Sequence, residues 1–253
     1  MDIRLDGQHI LVTGASRGIG RAIAEQLYAS GATLSLTYRQ HKSAADTLTA
    51  DWLPHRYRWY AIDFSDPAEA YGLVAQATAD QGPIHTVVNN AGVASSVSID
   101  ASQEEWLEGW HHTFAVNVHA PAAITHAVLP HFQEQGQGRF INISSRAAFR
   151  GDTPDYMAYA ASKGAVVALT RSIARGFGKK GVKAFTIAPG FTRTEMAQDF
   201  IDSYGEDYVT RDLALAEMTT PQDIAPLITL LASGLADHAT GGTFDINAGS
   251  YVH

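Results

Sequence analysis

Cysteine is absent from this chain of 253 residues, so it can form no disulfide, iron–sulfur cluster or thiolate metal site, as suits a reducing compartment. Basic runs are missing as well. Eighteen Lys and Arg stand against 26 Asp and Glu, a net charge of −8, and the positive patch that nucleic acid requires is not there. No apolar stretch approaches the ~18 residues of a membrane span. Residues 1–6 lack a basic segment leading into an apolar one. A soluble cytoplasmic protein with no nucleic-acid and no membrane partner is therefore expected. Metal-ligand spacing is wanting too. Of the 11 His, five (His111, His112, His119, His126 and His131) fall on one predicted helix, without a His-Glu-x-x-His or a matching carboxylate set, so no metal is expected. Linkers, repeats and low-complexity tracts are lacking, which favours one domain over residues 1–253.

What is present is alternation. Short β-branched runs at 9–13, 33–38, 57–62, 85–89, 139–143, 182–188 and 243–246 are separated by stretches of helical period, such as 18–30 with Ile19, Ala22, Ile23 and Leu27. This predicts an α/β fold: a doubly wound parallel sheet of about seven strands, with right-handed crossovers and helices on both faces. Ser102-Gln103-Glu104-Glu105 carries the Ser-x-x-Glu pattern of a helix start, and Thr220-Pro221-Gln222-Asp223 opens another with an early proline. Residues 91–101 and 189–219 fit neither period. Both follow predicted strands, and so belong at the carboxyl edge of the sheet, where open α/β folds bind ligands.

Between the first strand and its helix lies Thr13-Gly14-Ala15-Ser16-Arg17-Gly18-Ile19-Gly20. Glycine lets the backbone turn tightly and approach a pyrophosphate, while the helix start presents free amides and a partial positive charge to it. The second strand ends in Tyr38-Arg39, where an NAD-binding protein would carry an acidic residue for the ribose hydroxyls. Arg39 and Arg17 instead offer guanidinium forks for a 2′-phosphate, so NADPH/NADP is expected over NAD. Asp63, before Phe64 at the end of the third strand, either accepts from the adenine amino group or caps the next helix. Asn89-Asn90-Ala91-Gly92 ends the fourth strand with polar groups suited to a network around the cofactor. Further along, Tyr159 and Lys163 lie four apart in a helical stretch, which sets phenol and ammonium on one face about a turn apart.

Thr13 to Gly20, Asn89 to Gly92, Ser145, Tyr159-x-x-x-Lys163 and Pro189-Gly190, in this order and spacing, resemble the short-chain dehydrogenase/reductase family over essentially the whole chain. The ending, from Thr240-Gly241-Gly242-Thr243 to Tyr251-Val252, is similar to 3-oxoacyl-[acyl-carrier-protein] reductases. That resemblance implies hydride transfer between nicotinamide and a carbonyl or alcohol, with Tyr159 as proton donor. It also implies that Lys163, with the positive nicotinamide of the oxidised cofactor, lowers the phenol's pKa, and that Lys163 holds the nicotinamide ribose. Ser145, second of its serine pair, would bind the substrate oxygen. Asn117 matches the asparagine that kinks its helix and anchors a proton relay.

The resemblance further places Pro189, Gly190 and either Thr192 or Thr194 beside the nicotinamide, and Ile187 at the ring's edge. A substrate loop near 190–219 would be lined by Phe191, Met196, Phe200 and Tyr204, or these pack on the domain. Trp106 and Trp110 serve as core anchors or dimer contacts, and a homotetramer is implied. The substrate stays open between a 3-oxoacyl thioester and a small ketone, sugar or polyol. Gln133-Glu134-Gln135-Gly136 lacks the basic pair that meets an acyl-carrier protein, though Lys179 and Lys180 are present. Arg146 and Arg150 instead suit a small carboxylate or phosphate. A catalytically silent dinucleotide sensor or scaffold is the alternative, which an intact Ser145, Tyr159 and Lys163 disfavours.

Overall fold

The computed structural model describes residues 3–252, apart from the side chains of Met196, Asp199, Ser203 and Tyr204. Seven strands form one parallel sheet in the order β3-β2-β1-β4-β5-β6-β7. They are β1 (His9–Val12), β2 (Thr33–Tyr38), β3 (Tyr57–Ala61), β4 (Thr86–Asn89), β5 (Gly138–Ile143), β6 (Val182–Pro189) and β7 (Thr243–Ile246). The predicted strands thus recur within a residue or so at each end. Central strands buried on both faces read as the near-continuous apolar runs that the sequence carries.

Successive residues of a strand face opposite layers. Ile10 and Val12 meet α1 (Gly18–Ala29) and α10 (Pro221–Ala232) through Ile23, Leu27, Ile228 and Leu231. Leu11 points the other way. There Val87, Phe140 and Ala184 pack under α3 (Glu69–Gln81), α5 (Ala120–Gln135) and α7 (Met157–Phe177). The remaining helices are α2 (Lys42–Leu48), α4 (Gln103–Phe114), α6 (Ala147–Arg150), α8 (Glu195–Tyr204) and α9 (Glu206–Thr210).

Ser102 caps α4 in the reciprocal arrangement that its spacing predicts, accepting from the Glu105 amide while the Glu105 carboxylate accepts from the Ser102 amide. Between α4 and α5 the ladder widens into a π segment, Ala115–His119, which holds Asn117. Residues 189–219, read from sequence as irregular, contain α8 and α9. The hydroxyl of Thr194 caps α8 by accepting from the Ala197 amide, and Phe200, Val209 and Met218 bury one face of the excursion. Among the described residues, no helix is long and apolar enough to cross a membrane, and no group of three or more His, Asp and Glu is placed to hold a metal.

Candidate active site

The chain leaves β1 and β4 toward opposite flanks of the sheet, which opens a crevice at their carboxyl ends. Its volume is about 380 Å³. Apart from Ile187 and Asn89, the residues expected above to meet the cofactor line it, together with Ser145, Tyr159 and Lys163. Asn117 is not part of its lining.

The glycine loop is built to receive an anion. Gly14 and Gly18 take φ of +64° and +53°, open to glycine without strain. The Gly14 amide donates to the Thr37 hydroxyl at 2.9 Å, which pins the loop to the end of β2. Arg17 precedes α1 with extended backbone and no side-chain cap, and the first turn of α1 carries no acidic residue. The helix start therefore keeps amide donors for a pyrophosphate, and the residues present fit a dinucleotide. Asn90 braces the loop from below, its amide donating to the carbonyls of Thr13 and Gly14 at 2.9 and 3.0 Å. A Cβ built on Gly20 would lie 2.2 Å from the Gly14 carbonyl oxygen and 2.4 Å from Asn90 Nδ2. Gly20→Ala is therefore expected to weaken NADPH binding roughly tenfold or more, read by fluorescence titration. Gly176→Ala, whose Cβ meets nothing within 4 Å, should leave the affinity unchanged.

Arg39 is exposed at the crevice, but the Arg17 guanidinium is committed elsewhere: it pairs with Glu195 at the start of α8, Nη1 to Oε2 at 2.6 Å. The sequence could not announce this partner 178 positions away. The Asp63 carboxylate accepts from the Ser65 amide at 2.9 Å, a local turn rather than a cap, since α3 begins at Glu69 with Ala68 before it; that bond holds its pKa below the usual value. Ile187 is fully buried within the sheet and is absent from the crevice wall, contrary to its expected place at the nicotinamide edge. Ile143 lines the wall instead. Thr192 donates to the Gly190 carbonyl, and Thr194 contacts the glycine loop, where a Cβ on Gly18 would lie 3.3 Å from its methyl. Phe191 and Phe200 line the crevice with ring centroids 4.9 Å apart; Met196 and Tyr204 lie outside the described side chains.

The two serines separate cleanly. Ser144 is buried and donates to the Lys163 carbonyl at 2.8 Å, whereas Ser145 faces the crevice within hydrogen-bonding reach of the Tyr159 phenol. Lys163 extends its ammonium to the Ile143 carbonyl at 3.0 Å, and Nζ lies 5.7 Å from the Tyr159 ring centre. Asn117, in the π segment, accepts from the Val93 amide and donates to the Val93 carbonyl and to Ser162 Oγ, each at 2.9 Å. A Cβ on Gly92 would lie 3.2 Å from both Asn117 Oδ1 and Lys163 Nζ, so these two polar groups converge on one small space that glycine leaves open.

Burial pushes the Tyr159 phenol up to about 12, opposed by the Ser145 hydrogen bond and reinforced by the Asp152 carboxylate at the rim. Burial brings Lys163 down to about 8, and its ammonium donates to a main-chain carbonyl. Among the chain's own groups desolvation dominates both; the lowering of the phenol expected above involves the charge of an oxidised nicotinamide as well.

Comparison with known proteins bears on the family. A profile described as enoyl-(acyl carrier protein) reductase matches residues 14–251. The 3-oxoacyl-[acyl-carrier-protein] reductase of Vibrio cholerae is 31% identical over 251 residues, covering 99% of this chain and all of its own. Among solved structures, a glucose/ribitol dehydrogenase of the short-chain dehydrogenase/reductase type from Brucella melitensis superposes with a TM-score of 0.89 at 29% identity, over 100% of both chains. A gluconate 5-dehydrogenase from Burkholderia cenocepacia, solved with NADP and tartrate, gives 0.88 at 28% identity over 99% of this chain and 98% of its own. With a family profile spanning residues 14–251 and relatives of this kind matched over their full length, the chain belongs to the short-chain dehydrogenase/reductase family.

Proposed function

We propose that the protein is an NADPH-dependent oxidoreductase that interconverts a carbonyl and an alcohol. One observation carries this reading: the phenol of Tyr159, the hydroxyl of Ser145 and the ammonium of Lys163 meet on the wall of the same crevice as the glycine cradle. Bound there, a nicotinamide dinucleotide supplies or takes the hydride. The chain's own side chains handle the oxygen. Ser145 donates a hydrogen bond to the carbonyl, and Tyr159 gives it a proton as negative charge develops. Lys163 would hold the nicotinamide ribose, while Asn117 holds Val93 and Ser162 in register behind it. Catalysis thus needs four residues that a pure nucleotide sensor would not.

Arg39 and Arg17 favour the 2′-phosphate, with Glu195 competing for Arg17. The Burkholderia relative's NADP supports the same choice. Removing one charge-assisted hydrogen bond costs ~1.5–3 kcal/mol. Arg39→Ala should therefore lower the ratio of kcat/KM for NADPH over NADH about 10- to 100-fold. A wild-type preference for NADH would overturn the assignment. The names of its relatives favour two substrate classes, 3-oxoacyl thioesters and sugars or sugar acids. A homotetramer fits the family, and the ladder Trp106, Trp110 and Phe114 along α4, with ring centres 6.0 and 5.8 Å apart, offers an aromatic face for it.

A further inference from the structure

Arg146 follows Ser145 directly, yet it is only 7% exposed. Its amide donates to the Pro189 carbonyl at 2.9 Å, which fixes the root of the side chain beside the wall formed by Pro189 and Gly190. The guanidinium carbon stands 4.7 Å over the Phe191 ring, and Phe191 in turn packs on Phe200. Stacking of this kind occupies the face of a guanidinium and leaves the N–H donors around its edge. Those donors have little to bind. Nη1 is buried with no hydrogen-bond partner, and among the described residues no carboxylate forms an ion pair with Arg146. The nearby charges are otherwise engaged: Arg150 pairs with Asp212 at 3.3 Å, and the Asp152 carboxylate accepts from the Thr153 amide.

A buried guanidinium without a counter-ion is costly, and arginine cannot shed its proton to escape the cost. Its place on the crevice wall, between the hydroxyl pair that receives the carbonyl and the aromatic base of the α8 excursion, gives it a use. We infer that Arg146 is a specificity residue that binds an oxyanion, carboxylate or phosphate, carried by the carbonyl substrate itself. This rests on the oxidoreductase reading above and narrows it: the substrate is an anionic oxo or hydroxy compound rather than a neutral ketone or a thioester. A forked, charge-assisted contact is the reason to expect strong discrimination.

The test is NADPH consumption by the full chain with three matched sets: short oxo acids, their methyl esters, and phosphorylated ketones, with neutral ketones and acyl thioesters alongside. Wild type should show kcat/KM for an acid or a phosphate at least tenfold above the neutral partner, the better of the two naming the oxyanion. Arg146→Met should reduce that ratio roughly 10- to 100-fold, and Arg146→Lys should restore part of it. NADPH fluorescence titration confirms that each variant folds. Should the methionine variant fail to bind NADPH, the lysine variant decides together with inhibition of wild-type neutral-ketone turnover by inert dicarboxylates, whose absence counts against the subsite. Equal turnover of acid and ester, or a ratio unchanged in Arg146→Met, overturns the inference while leaving the oxidoreductase intact. NADPH oxidation with no carbonyl compound of any class removes both readings.

Discussion

Replacing Tyr159 by Phe should lower kcat by about 10³-fold, within the ~10²–10⁴ that a positioned general acid supplies, and leave the NADPH dissociation constant within about twofold. The variant keeps the ring and its packing at the start of α7 and removes only the oxygen. That oxygen is a group whose burial holds its pKa up to about 12, so at neutral pH it carries its proton and stands ready to give it to a carbonyl oxygen. Ser145 loses a neighbour in the variant but keeps its bond from the Ala147 amide at 3.1 Å, so the hydroxyl that polarises the carbonyl stays in place. Steady-state absorbance at saturating NADPH, beside a fluorescence titration of the cofactor, reads the two quantities separately. Turnover retained within tenfold would mean that another group delivers the proton.

The same burial makes the reverse reaction demanding. Alcohol oxidation needs the phenol as a base, and a group held near 12 is almost wholly protonated at pH 7. Ser145 favours the ionised form by hydrogen bonding, while the Asp152 charge at the rim opposes it. The positive charge of an oxidised nicotinamide would favour the phenolate and so assist that base.

Local features explain why so much of this could be read in one dimension. The glycine loop, the capping Ser102 and Glu105, and the turn that brings Tyr159 over Lys163 all depend on residues within eight positions of one another. What escaped depends on tertiary burial. The helix α8 has a capping threonine at position 194, but its Phe200 is covered by Phe191 and Tyr208, which flank the helix and reach it only once the excursion has folded back on itself. The pairing of Arg17 with Glu195 is likewise invisible at a separation of 178 residues. The burial of the ammonium is hidden for a related reason: sequence places it beside the phenol, but cannot report that Lys163 is 5% exposed and that desolvation brings it down to about 8.

Lys163→Met should lower kcat/KM for NADPH by about two to three orders of magnitude and flatten its pH profile. In the free enzyme the lysine is brought down to about 8 by burial, so it is a cation below that pH and neutral above it. Because kcat/KM reports ionisations of the free enzyme, wild-type activity should fall as pH rises through about 8, and this limb should be missing from the methionine variant. A limb that persists would belong to some other group. Stability separates loss of function from loss of fold. The folded pKa lies below the unfolded value of 10.5, so between about 8 and 10.5 the unfolded chain binds more protons and wild-type stability rises with pH. Below pH 8 the buried cation is a full burden on the fold, offset only by its bond to the Ile143 carbonyl. Methionine fills similar volume without charge, so the variant should melt at or above the wild-type temperature at pH 7 while being nearly inactive. A chain that keeps a lysine where it weakens the native state does so because the crevice needs that charge, and a thermostable, inactive variant is the result that would separate this requirement from packing.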